Sequence, residues 1–80
     1  MARFAIKTPQ QHVSWDDILA VWEEADQIDL FESAWVFDHL YPIVGDPGGA
    51  CLESWVTLTA LARATRRIRV GSMVNGMHFR

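Results

Sequence analysis

Asp38 and His39 stand side by side where an apolar run, AWVF at 34–37, gives way to a loop. Such a pair can do proton chemistry. Histidine titrates near pH ~6.5 and can take or give a proton at neutral pH. A neighbouring carboxylate can fix its tautomer or hold a substrate hydroxyl. The same dipeptide also reads as a capped strand end with Asp38 bonding loop amides, and the residues alone leave both readings open. His12 and His78 fall at comparable places in the chain, after strands. The single cysteine, Cys51, reads as a small filler near a helix start rather than a nucleophile, although a helix N-terminus would lower its pKa. There is no HxxxH or CxxC spacing, so no metal is expected. GDPGG at 45–49 lacks both the P-loop lysine and the GxGxxG spacing, and reads as a lid rather than a phosphate cradle. In GSMVNG at 71–76, two glycines bracket a strand end where a β-bulge would redirect the chain.

The elements that must position these residues follow from the hydrophobic pattern. Residues 3–7 (RFAIK) alternate and predict a short strand, broken by TPQQH. Ser14 is a natural N-cap, with Asp17 at N3 and Val13 and Ile18 as a hydrophobic staple. Ile18, Val21, Trp22, Ala25 and Ile28 then keep helical spacing, leaving Asp16, Glu23, Glu24 and Asp26 to water. The continuous apolar run at 34–37 predicts a parallel strand covered on both faces. A long loop spans 38–50, unusual in a compact domain unless it binds something. A second helix is expected from about Leu52, with Glu53 in its first turn and Trp55, Leu58, Leu61 and Ala62 buried. Arg63, Arg66, Arg67 and Arg69 read as cations at that helix's C-terminus. Residues 68–74 (IRVGSMV) predict a third strand. The four tryptophans, at 15, 22, 35 and 55, are expected mostly in the core.

Strand, helix, strand, helix, strand implies an α/β fold with a parallel sheet. Loops at the carboxyl ends of such strands are where α/β proteins keep their ligands, and Asp38 and His39 emerge at that edge. Both helices would cover one sheet face. The other face is expected to be bare and apolar, carrying some of Trp35, Phe37, Ile68 and Val70. The 80 residues therefore read as a βαβαβ fragment of a (β/α)8 (TIM) barrel, which takes about 250 residues.

Composition bounds the function. Half of the residues are hydrophobic, and the net charge is -3 with a pI near 5.4, which argues against nucleic acid as a partner. No apolar run approaches the ~20 residues of a membrane span, and no signal-peptide pattern precedes the first strand. One cysteine suits a reducing compartment, so a cytoplasmic location is expected.

The runs FESAWVFDHLYPI (31–43) and CLESWVTLTALARATRRIRVGSMV (51–74), with Phe79-Arg80, resemble the N-terminal third of the bacterial luciferase-like superfamily. Within it they are most similar to the oxidoreductases that use the deazaflavin coenzyme F(420). DHLYPI, LESW and ATRRIRVG carry the likeness, in that order and spacing. The resemblance implies a (β/α)8 barrel, usually a homodimer, with a deazaflavin or, alternatively, FMN ring at its C-terminal face. It implies that Asp38 and His39 contact the cofactor and substrate region, with the histidine as acid or base. It further implies a non-prolyl cis peptide at Met73–Val74 against the ring, making Met73, Val74 and Asn75 cofactor-binding. The sugar-phosphate dehydrogenase of that group has a tryptophan where this chain has Ile43, a departure that weakens any claim to the same substrate. The expected function is hydride transfer between a small-molecule substrate and the ring, or oxygenation by reduced flavin, in a parent protein of which this chain alone is inactive. The alternative is a non-catalytic truncated product or a small α/β interaction module.

Overall fold

The computed structural model describes residues 2–76, so Met77, His78, Phe79 and Arg80 lie outside the described residues. Five elements follow one another: β1 (Phe4–Lys7), α1 (Trp15–Asp26), β2 (Phe31–Val36), α2 (Ser54–Ala64) and β3 (Arg69–Ser72). The strands form one parallel sheet in the order β1-β2-β3. This is the βαβαβ arc of a barrel.

Local chemistry starts each helix. Ser14 caps α1, its Oγ accepting from Asp17 N at 3.1 Å. Glu53 is the cap of α2 rather than part of its first turn, its carboxylate accepting from Val56 N at 2.6 Å. The core lies between the helices and one sheet face: Ile18, Trp22 and Ala25 from α1, Ala34 and Val36 from β2, Leu61 from α2, and Ile68. Trp22 is 0% exposed, and its indole N–H donates to Thr8 Oγ1 at 2.8 Å, so its one polar atom is satisfied.

Further expectations need correction. The buried stripe of α2 is Ser54, Thr57 and Leu61, with Leu58 partly buried; Trp55, Val56 and Ala62 face outward. The open sheet face is not an apolar surface. Strand alternation and register place Ala5, Lys7, Ser33, Trp35, Arg69 and Gly71 there. Ile68 belongs to the core, Val70 packs against it, and Phe37 is buried beyond the end of β2. Trp35 lies across Gly71, where a Cβ would come within 2.6 Å of the indole, and donates from Nε1 to Ser33 Oγ at 2.9 Å.

Another correction concerns Asp26. Instead of facing water, its carboxylate accepts from the backbone N–H of Arg66 (3.0 Å), Arg67 (2.9 Å) and Ile68 (2.8 Å). Arg67 answers from the other side. Its guanidinium donates to the carbonyls of Ala25, Asp26 and Ile28, so this arginine caps the end of α1 and not that of α2. The Ile68 N–H, followed by that of Arg66, holds the Asp26 carboxyl below its ordinary value of 3.8. A lowered folded value means that its stabilisation is complete above the unfolded value and disappears as pH falls through the folded one. Asp26→Asn should therefore lower stability near neutral pH, by less than a buried charge-assisted hydrogen bond is worth because solvent screens the carboxylate. Urea melts should show the gap between variant and wild type closing as pH falls below the ordinary carboxylate range and through the folded value. A gap that persists there would assign the loss to packing.

Candidate functional site

The carboxyl ends of the strands gather most of the residues singled out in the sequence. Past β1, Thr8 N donates to Trp35 O at 3.0 Å, the last main-chain bond between β1 and β2. Beyond β2, Phe37 and Asp38 stay buried, Asp38 at 6% exposure, and His39 is half-buried. The His39 ring meets the Phe37 ring edge to face, with centroids 4.6 Å apart and planes at 74°. Past β3, Met73 N donates to Val36 O at 2.8 Å, and the Met73–Val74 peptide bond is cis, as the resemblance implied. β3 itself stops at Ser72, short of the Val74 expected.

One hydrogen bond closes this arrangement. Asp38 Oδ2 accepts from Gly76 N at 2.7 Å, tying the end of β2 to the segment that carries Met73, Val74 and Asn75. Asn75 is fixed from the helix side, its Oδ1 accepting from Trp55 Nε1 at 3.0 Å. Met73 and Val74 present exposed apolar side chains, as do Leu40 and Tyr41 beyond His39. The structure thus brings Asp38, His39, Met73, Val74 and Asn75 to one edge.

His12 is not part of this group. It adopts a left-handed backbone, φ 55°, and its Nε2 lies 2.9 Å from Val44 O. A carbonyl can only accept, so this nitrogen carries the proton. The ring fills the space beside Gly45 and Gly49, and a Cβ on Gly49 would collide with it. The segment read as a lid is fastened along its length. His12 N donates to Ala50 O (2.7 Å), Leu52 N to Gln10 O (3.1 Å) and Ile43 N to Gln11 Oε1 (2.8 Å). Within GDPGG the Gly48 and Gly49 amides are taken by Asp46, through Oδ1 at 2.9 Å and O at 3.0 Å, so neither is offered to a phosphate. The Cys51 thiol is pushed up by burial, opposite to the helix-start effect, and it donates to His39 O at 3.6 Å. It is a filler.

Sequence reasoning missed Gln10. Its side chain is fully buried: Oε1 accepts from Phe37 N at 2.9 Å and Nε2 donates to Phe37 O at 2.6 Å. A glutamine just past a strand carries no distinguishing signal in sequence, because its partner lies 27 residues away.

Two concavities of about 530 Å³ each lie elsewhere. One is lined by Ala2, Arg3, Phe4, Asp29, Leu30 and Glu32 at the opposite end of the strands, and the other by the outer face of α2. Barrel enzymes do their chemistry at the carboxyl ends, so the edge bearing Asp38 and His39 is the stronger candidate. Among the described residues, no group of three or more His, Cys, Asp or Glu could hold a metal ion, and no helix is long and apolar enough to cross a membrane.

The profile of luciferase-like monooxygenases matches residues 1–79. No curated protein and no solved structure matches the chain.

Proposed function

Because the chain belongs to the luciferase-like monooxygenase family, we propose that it forms the substrate-facing edge of a flavin- or deazaflavin-dependent oxidoreductase, with His39 as the proton carrier. The observation that carries this reading is the Asp38–Gly76 hydrogen bond, which holds an imidazole and an apolar wall at adjoining strand ends. A flat tricyclic ring needs an apolar surface on one side and a proton donor or acceptor near its reacting edge. Met73 and Val74 fit the first need and His39 the second. Lys7, at the end of β1, is the one basic side chain among the described strand ends that could meet a phosphate tail. When bound, the ring would supply hydride transfer or, reduced, oxygen chemistry.

What the chain's own groups contribute is acid–base work and order. The His39 imidazole, partly open to solvent and backed by Phe37, gives or takes a proton at a substrate oxygen. Asp38 keeps the 73–76 segment against the end of β2, so that the imidazole and the apolar wall stay at a fixed separation. Tyr41 and Leu40 border the space where a small organic substrate would enter. Coenzyme F(420) is the proposed ring, on the likeness of DHLYPI, LESW and ATRRIRVG, with FMN as the other member of the same chemistry.

Three parallel strands give a ring only part of its enclosure. The 80-residue chain alone should not bind FMN or the deazaflavin stoichiometrically, whereas a barrel completed with further βα units should bind one of them. Titration followed by ring fluorescence reads both. Saturable micromolar binding by the short chain would contradict its being an arc of a larger site. Failure of the completed barrel to bind either ring would remove the flavin reading.

A further inference from the structure

The bond from Thr8 N to Trp35 O is the last main-chain bond between β1 and β2, and past it the chain leaves the ladder. Phe37 N and Phe37 O are therefore buried main-chain groups without a strand beside them, and buried groups of this kind need partners. The Gln10 side-chain amide takes the place of the missing peptide unit. It offers an acceptor to Phe37 N (2.9 Å) and a donor to Phe37 O (2.6 Å), as a neighbouring strand would. The same Nε2 lies 3.4 Å from Leu52 O, and the Gln10 carbonyl accepts from Leu52 N at 3.1 Å. One residue thus joins the exit of β1, the end of β2 and the entry to α2, with its side chain fully buried.

We propose that Gln10 is the positioning residue of the site, setting where His39 stands by fixing both backbone groups of Phe37, against whose ring the imidazole rests. The proposal rests on the reading of His39 as the proton carrier. One residue, Asp38, separates Phe37 from His39, and it is held by Gly76. Gln10 and Gly76 therefore grip the β2 extension from its two sides. Releasing the Gln10 grip leaves Asp38 anchored but frees Phe37 to shift, and the edge-to-face contact with His39 goes with it.

The test is nuclear magnetic resonance on the labelled chain, reading the His39 ring protons, whose shifts report the Phe37 ring current. Phe37→Leu supplies the reference for a lost contact. Gln10→Met keeps the volume but removes donor and acceptor, and should move the His39 resonances by at least half of the Phe37→Leu change. Gln10→Glu keeps the acceptor for Phe37 N and lacks the donor for Phe37 O at neutral pH. It should move them in the same direction, and it carries the test if Gln10→Met does not fold. Wild-type His39 shifts in either folded variant, with only a lowered melting temperature, would overturn the proposal and leave Gln10 a stability residue. The readout is a ring position, so it can fail while His39→Ala still abolishes turnover, or succeed while turnover is untouched.

Discussion

Turnover of a completed, cofactor-loaded barrel should fall by roughly 10²–10⁴ when His39 is replaced by alanine, while cofactor binding changes little. At 1.36 kcal/mol per decade this is about 3–5 kcal/mol of transition-state stabilisation. The split follows from the geometry. The imidazole stands at the strand end, where a substrate atom would meet it, and the apolar surface of Met73 and Val74 belongs to another strand end that the substitution leaves alone. Asp38→Asn should cost less, because an amide oxygen can still accept from Gly76 N. If both residues merely cap the strand, the variants instead lose thermal stability with the rate per folded molecule unchanged. Measuring kcat, cofactor Kd and Tm on the same preparations separates the two, and an unimpaired His39→Ala enzyme would end the assignment.

Trp22→Ala should abolish cooperative folding or lower Tm by at least 12 °C or so, taking 3 kcal/mol at roughly 4 °C each. Large aromatic truncations in a core cost about 3–5 kcal/mol, and a chain of 80 residues holds only about 4–12 kcal/mol in all. Trp22 is fully buried at the centre of the α1 stripe and also carries the bond to Thr8 Oγ1, which ties the helix to the exit of β1. Trp22→Phe retains much of the packing and gives up the hydrogen bond, so it should lose about 1 kcal/mol from that source besides a smaller packing loss. Thermal melts followed by circular dichroism read both. A Trp22→Ala chain melting within two or so degrees of wild type would mean that α1 is not docked as described.

The order of elements was legible because apolar periodicity and capping are local. Ser14 before IxxVW and the uninterrupted AWVF run need no partner to be recognised, and they place Asp38 and His39 correctly at the carboxyl edge. The start of β2 was not legible. Ser33 is polar and belongs to the strand because pairing with Ala5 of β1 and Arg69 of β3 holds it there, while Glu32 is passed over where the register with β1 shifts. The buried side of α2 was also misread. Ser54 and Thr57 sit inward with Leu61, and the apolar Trp55 and Val56 are left outside. The roles of Asp26, Arg67 and Gln10 were hidden altogether. Each depends on partners between 27 and 42 residues away, and a side chain standing in for a cap or a strand leaves no periodic trace. At the site, type and place could be read from sequence, whereas the Asp38–Gly76 closure and the diversion of His12 into the loop could not.

The most direct measurement is a crystal structure of the completed barrel with its ring cofactor bound. The ring should lie against Met73 and Val74 within about 4 Å, with the His39 imidazole facing its reacting edge and Asp38 still accepting from Gly76 N. A ring seated at the opposite end of the strands, by Phe4 and Leu30, or a His39 turned away from it, would contradict the reading of this edge as the catalytic one.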